Sequence, residues 1–278
     1  METENCIFHY TSIDTLARIL DSQSIRFNRL DKLDDMEEGS GIPDYIRSWV
    51  FTSCWTESSE ENIALWKMYA DRYVGKGVRI ALPRDMFKIY NISVKKIEDN
   101  IGFRCISKTN FYQSYLPFDD LCSADYFTFL SSNTDQNINS TFYKRIIYDK
   151  DYKQKNFDLI KADIAKNTTS FAIPEMGQYK SPIWEFQKES RFTLFFLPLI
   201  RNKDLSIKEK YELLPRTLTI PKSSELQDYY LKLDENILNH IKVRLSPLAK
   251  DSDKIIVKAL LDKYTTNGSI EESNLRIR

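Results

Sequence analysis

Glycine is scarce in this chain, with seven in 278 residues, and none falls in a G-x-G-x-x-G or Walker A pattern. The backbone cradles that hold phosphates in dinucleotide-binding and P-loop folds are therefore not encoded. Histidine is scarcer still, with only His9 and His240, and the four cysteines (Cys6, Cys54, Cys105, Cys122) form no C-x-x-C pair. Structural zinc has no ligand set here, and no metal is expected. Neither sign of charge dominates. Forty Lys+Arg balance forty Asp+Glu, which removes the broad attraction of a non-specific nucleic-acid or anionic-membrane binder. The longest nearly apolar run, Phe192 to Ile200, has nine residues, against the ~20 that span a bilayer. Glu2 and Glu4 stand where a secretory leader would be basic and then apolar. The expectation is a cytoplasmic chain with reduced cysteines and no membrane partner.

What is present is enough for a sizeable core, since 42% of residues are hydrophobic and 16 Phe, 16 Tyr and 4 Trp supply large rings. Short elements alternate through the first third. Cys6 to Tyr10 reads as a strand, and Thr11 and Ser12 are N-cap residues for a helix over Ile13 to Asp21 with Leu16, Ile19 and Leu20 on one face. Strands are expected at Ser24 to Phe27, Trp49 to Trp55 and Val78 to Leu82, with an acidic, turn-rich loop over Asp31 to Gly41. Ser58-Ser59-Glu60-Glu61 fits a capping box opening a helix to about Tyr73, ended by Gly75 and Gly77. The pattern weakens from Lys108 to Thr169, read as an insertion or cap over 108–170 with a helix from Tyr152 to Asn167. Later strands are expected at Ser190 to Leu197, Arg216 to Ile220, Ile241 to Leu245 and Asn274 to Ile277, with a helix over Asp251 to Tyr264. Strands and helices mix without a regular βαβ rhythm, so the class is α+β in a single domain over 1–278.

Four groups of residues carry possible chemistry. His9, at a strand end beside a helix N-cap, serves either the core or a sugar hydroxyl, with Tyr10 placed to stack on a ring. Trp66 and Tyr69, three apart on the expected helix, share a face that forms either core or an aromatic wall for a flat ligand. Gln187, Glu189 and Arg191 alternate at period two, so on a strand they point to one side, just after Trp184. Such a face is either a solvated Glu–Arg pair or a ribose holder whose carboxylate stabilises a developing oxocarbenium ion. The run Asp34-Asp35-Met36-Glu37-Glu38 lacks EF-hand spacing and reads as a solvated turn rather than a metal loop.

These residues also occur in a familiar order. Phe8-His9-Tyr10-Thr11-Ser12, Leu33-Asp34-Asp35-Met36-Glu37-Glu38-Gly39, Leu65-Trp66-Lys67-Met68-Tyr69, Trp184 to Phe192 and the closing Ile241 to Pro247 together resemble a family of bacterial proteins known as a domain of unknown function. That family is more distantly similar to ADP-ribosyltransferases, including poly(ADP-ribose) polymerases and DarT toxins. The resemblance implies a split mixed β-sheet with flanking helices that binds NAD as substrate. It implies an ADP-ribosyltransferase or NAD glycohydrolase, in the setting of a bacterial toxin or phage-defence effector with an antitoxin or defence-system partner. By motif, His9 and Thr11 would hold the adenosine-side ribose and Glu189 the nicotinamide ribose. Tyr69 is the expected second aromatic, with Tyr10 and Trp66 as rivals, and Trp66 and Tyr69 would pack on nicotinamide. Arg191 or Arg26 would pair with the pyrophosphate. Gln187 makes a Gln-x-Glu similar to that of clostridial Rho-modifying exoenzymes, where the nearer family carries Glu-x-Glu, a difference bearing on the acceptor. The acceptor itself, whether protein, nucleic acid or water, is left open. The alternative is a non-catalytic module that keeps the fold and binds a nucleotide or a protein.

Overall fold

A computed structural model describes residues 6–70, 76–102, 110–128, 142–163, 168–218 and 220–277. The first strand, β1 (Cys6–Ser12), ends where Ser12 turns from extended backbone to cap the next helix, its hydroxyl accepting the Thr15 amide. That helix (Ile13–Ser22) buries Ile13, Leu16, Ile19 and Leu20 against the sheet and closes on Gln23 in the left-handed conformation. Next come β2 (Ser24–Arg29), β3 (Val50–Thr56), β4 (Gly77–Pro83), β5 (Tyr90–Ser93) and β6 (Phe111–Ser114). The middle of the chain adds β7 (Tyr126–Thr128), β8 (Tyr143–Arg145), β9 (Ile147–Tyr148), β10 (Ile160–Asp163), β11 (Thr168–Phe171) and β12 (Tyr179–Lys180). The long β13 (Glu189–Pro198) follows, then β14 (Asp228–Lys232), β15 (Lys242–Leu245) and β16 (Ser269–Glu271).

Ten of these strands form one mixed sheet, ordered β14-β2-β3-β1-β4-β15-β16, with β13 on the other edge of β3 and β7 and β8 on β13. The pair β15–β16 is parallel and its neighbour β4–β15 antiparallel. With helices on its flanks the chain is α+β, as the mixed pattern of elements predicts.

The sheet is open at one place. β1 pairs with β4 along its whole length but meets β3 only at Phe8–Thr56. β2 meets β3 only at Asn28–Thr52 and Arg29–Phe51. One edge of β3 is therefore shared by two strands, and among the described residues Ser53, Cys54 and Trp55 have no strand partner on it. The opposite edge is covered by β13 from Phe195–Val50 to Glu189–Thr56. A gap between β1 and β3 results.

Several expected elements differ. The helix after β3 starts at Ile63 rather than at the Ser58 capping box, because Asn62, itself extended, accepts the Ala64 and Leu65 amides and the residues from 57 to 62 are not helical. It widens at once into a π-turn over Trp66–Ala70. Its expected end near Tyr73 and Gly75 lies outside the described residues, and Gly77 opens β4. The helix expected over Tyr152 to Asn167 stops at Phe157, and β10 pairs with β11 as a hairpin. Arg216 lies in a helical turn, Leu214–Thr217, where Pro215 favours helix entry. The last strand is β16, set by the open edge of β15, while Leu275 packs beside Tyr10 and Trp66. Nor is the 108–170 stretch only a cap: β7 and β8 extend the large sheet, and Tyr112, Tyr115, Leu121 and Phe142 are in its core.

The acidic loop after β2 is clamped to the helix Tyr152–Phe157. Glu37 accepts from the Tyr152 hydroxyl and Lys153, and Asn156 donates to the Ser40 carbonyl. Gly41 makes the close approach possible: φ is +102°, and a Cβ would lie 2.1 Å from the Lys153 carbonyl oxygen. Gly41→Ala is therefore expected to cost ~2 kcal/mol or more, read as a fall in the urea midpoint with unchanged slope.

Candidate active site

A cavity of about 330 Å³ fills the gap between β1 and β3, a volume within the ~300–1,000 Å³ range of small-molecule sites. His9, Tyr10 and Thr11 line it from β1, and Ser53, Cys54 and Trp55 from the unpaired stretch of β3. The acidic loop contributes Asp34, Asp35 and Glu38. Tyr69 follows from the π-turn, Lys180, Trp184 and Gln187 come from the chain leading into β13, and Glu189 and Arg191 from β13 itself.

His9 bridges the gap. Its Nδ1 lies 2.9 Å from the Cys54 carbonyl oxygen. A carbonyl can only accept, so Nδ1 carries the proton and Nε2 is left with a free lone pair in the neutral ring. Burial lowers the His9 pKa, against a smaller opposing effect of that carbonyl, and keeps the imidazole uncharged. The ring leans on Trp55, with centroids 5.1 Å apart.

At the cavity floor two carboxylates and two cations alternate in a closed ring. Arg191 Nε donates to Glu189 Oε1 at 2.5 Å, and Arg191 Nη1 to Glu38 Oε1 at 2.8 Å. Lys180 Nζ lies 3.1 Å from Glu38 Oε2 and donates to Glu189 Oε2 at 2.9 Å. None of the four residues is more than 7% exposed. Elements from four parts of the chain place them. Glu189 and Arg191 alternate onto one face of β13, and Lys180 ends β12, which pairs with β9 opposite Tyr148. The Tyr148 hydroxyl accepts the Glu189 amide at 2.8 Å, and the Gly177 carbonyl accepts a further hydrogen bond from Arg191. Glu38 is turned inward while neighbouring Glu37 faces the Tyr152–Phe157 helix.

Burial alone would raise the Glu189 carboxyl, but Arg191 and Lys180 outweigh it and hold the pKa down to about 2. Glu189 is thus ionised at neutral pH and cannot serve there as a proton donor. Each of its oxygens has one partner in the ring and retains acceptor capacity. Beside it, burial first and the Glu189 charge second push the Cys54 thiol up to about 12, so Cys54 is a protonated donor and not a nucleophile.

Gln187 precedes β13 in a 3₁₀ turn, Pro182–Gln187, and Lys188 takes the left-handed conformation between them. It is not on the strand, as simple alternation would have it, yet its amide reaches the same floor. Lys180 donates to its Oε1 at 3.0 Å, which assigns the amide and leaves Nε2 to donate to the Tyr69 hydroxyl at 2.8 Å. The Tyr69 O–H therefore remains free to donate into the cavity. Burial, with Glu189 second, raises the Tyr69 pKa and keeps it protonated.

Among the expected site residues, His9, Tyr10, Thr11, Tyr69, Gln187, Glu189 and Arg191 meet at this cavity. Tyr10 does so with its hydroxyl occupied by the Asn62 amide. Trp66 does not line it. The π-turn separates residues three apart, and Trp66 is fully buried, packed edge-on to Tyr10 and hydrogen-bonded to Glu61. Arg26 borders the cavity but forks onto Asp228 Oδ1 at 2.8 and 2.6 Å. Arg191 is the centre of the buried ring, with Nε and Nη1 committed there, rather than a phosphate clamp. Lys180 and Glu38 were not foreseen, and the acidic run is not wholly a solvated turn. Nothing local distinguishes Glu38 from Glu37 until the fold turns one inward.

No metal-holding group of His, Cys, Asp and Glu occurs among the described residues, and no described helix is long and apolar enough to cross a membrane. Comparison with known proteins finds no matching family model, no matching curated protein and no matching solved structure.

The Cys54 thiol gives a pH prediction. Its folded pKa lies above the ordinary thiol value of about 9, so the stability it contributes is present below pH 9 and lost as pH rises toward 12. Between pH 8 and 10.5 the wild type is expected to lose about 2 kcal/mol more than Cys54→Ala, measured by urea denaturation at each pH.

Proposed function

We propose that the cavity binds NAD and that the protein cleaves the nicotinamide–ribose bond, as an ADP-ribosyltransferase or NAD glycohydrolase. The observation that carries this reading is convergence. His9, Tyr69, Gln187 and Glu189, drawn from three distant parts of the chain, line one gap in a sheet whose halves join at one bridge. In this reading His9 Nε2 accepts from the adenosine-side ribose, beside Thr11. Tyr69 and the neighbouring indoles of Trp55 and Trp184 flank the nicotinamide. Glu189, held ionised, accepts the 2′-hydroxyl and stabilises the positive charge that grows on the ribose. The carbon–nitrogen bond breaks with its electron pair on nicotinamide. An acceptor nucleophile or water then bonds to C1′ and gives up its proton. Consumption of NAD in this way would suit a bacterial toxin or phage-defence effector held in check by a partner.

A second reading has its own support. Both Glu189 oxygens are already ion-paired, which suits a module that binds a nucleotide without turning it over.

Incubating the purified protein with NAD and following nicotinamide by chromatography separates the two. Release by wild type is expected to fall ~10²–10³-fold in Glu189→Gln, the usual cost of losing one group aimed at developing charge. Release that survives the substitution would sink the mechanism. Thermal protection by NAD without any release would establish the binding module instead.

A further inference from the structure

Glu189 does not orient its own carboxylate. Each oxygen is taken by a cation, and each of those cations is shared with Glu38. We infer that Lys180 and Glu38 are positioning residues for Glu189, Lys180 by holding one carboxylate oxygen and Glu38 by balancing the second cation. Calling Glu189 catalytic rests on the reading given above; the positioning itself is a property of the ring.

The charges in this ring are interdependent. With all four present the buried floor is neutral. Without Lys180, Glu38 and Glu189 would share Arg191 alone, and two carboxylates beside one cation resist being ionised together. Without Glu38, two cations would face one carboxylate in a site nearly closed to water. Without both, Arg191 and Glu189 remain as a neutral pair. Lys180 also fixes the Gln187 amide, since an ammonium can only donate and so selects Oε1, which turns Nε2 toward Tyr69. Its ammonium lies 4.9 Å from the Trp184 ring centre, which ties the 3₁₀ turn to the same point.

The ionisable groups facing Glu189 come from every element around it. They are Arg191 on its own strand, Lys180 on β12, the Cys54 thiol on β3 and the Tyr148 hydroxyl on β9, with Tyr69 and Glu38 just beyond. Only Lys180 and Arg191 favour the ionised form by charge. Removal of Lys180 therefore has a definite sign, and further removal of Glu38 has the opposite sign.

The test is a carboxyl titration of the full-length protein labelled with ¹³C at the glutamate side-chain carboxyls. The Glu189 and Glu38 signals are identified by their loss in Glu189→Gln and Glu38→Gln. In wild type the Glu189 signal is not expected to titrate between pH 3 and 8. In Lys180→Met one carboxyl of the pair is expected to titrate at or above the ordinary value of ~4.3, and the two are followed as a coupled pair. In Lys180→Met combined with Glu38→Gln, Glu189 is expected to titrate ~1 unit or more below that raised midpoint of the pair, as Arg191 pairs with it alone. Circular dichroism at each pH verifies folding, and Lys180→Gln, which keeps a donor but no charge, is the substitute should the methionine variant not fold. A lysine variant in which neither carboxyl titrates at or above the ordinary value, or a double variant in which Glu189 titrates no lower than that raised midpoint, would overturn the inference. Absence of nicotinamide release from wild type would count against the NAD reading and leave the titration result intact.

Discussion

The buried ring of Glu189, Arg191, Glu38 and Lys180 ties together three separate segments, one of them far from the others in the chain. Glu38 belongs to the loop after β2, Lys180 to a two-residue strand, and Glu189 and Arg191 to β13. Each charge is nearly sealed from water, where an unpaired ion costs several kcal/mol and loss of one partner typically costs about 3–5 kcal/mol. The alternation of signs keeps those costs in check only when all four side chains are in place. The acidic loop, the turn Pro182–Gln187 and the start of β13 must therefore adopt their positions together.

The gap in the sheet is the second constraint, and its polar edge shows how a cavity of this kind is tolerated. A strand with an unpaired edge leaves backbone groups that need partners. At Cys54 the partner is the His9 imidazole, which supplies from a side chain the hydrogen bond that a ladder would supply from backbone. One residue thus gives the Cys54 carbonyl its partner, spans the opening between the two halves and fixes its own tautomer. The lone pair left on Nε2 is a consequence of that structural duty, not a separate feature.

These constraints define the chemistry the floor can support at neutral pH. Glu189 is a fixed anion, Cys54 and Tyr69 are protonated donors, and His9 is a neutral acceptor. Such a set favours polarisation of hydroxyls and stabilisation of positive charge over proton transfer or thiolate attack.

Much of the framework was legible from local pattern. Ser12 caps its helix because an oxygen-bearing side chain before an apolar 3.6-residue stripe meets the exposed amides of the first turn. The helix Asp251–Tyr264 follows its periodicity in the same way, and period-two alternation places Glu189 and Arg191 on one side of β13. The order of motifs further pointed to His9, Tyr69, Gln187 and Glu189 as one group. Local pattern could not determine which of two adjacent glutamates turns inward. Nor could it show that Trp66 would leave the face of Tyr69 at a π-turn, or that Lys180 would enter from a strand two residues long. Those outcomes depend on contacts between segments far apart in the chain, where the need to neutralise a buried charge decides what propensity leaves open. The sequence by itself determined the elements and the chemical types near the site. Tertiary structure decided the gap between β1 and β3 and the closed ring beneath it, because strand pairing and charge balance are properties of segments brought together and not of any one of them.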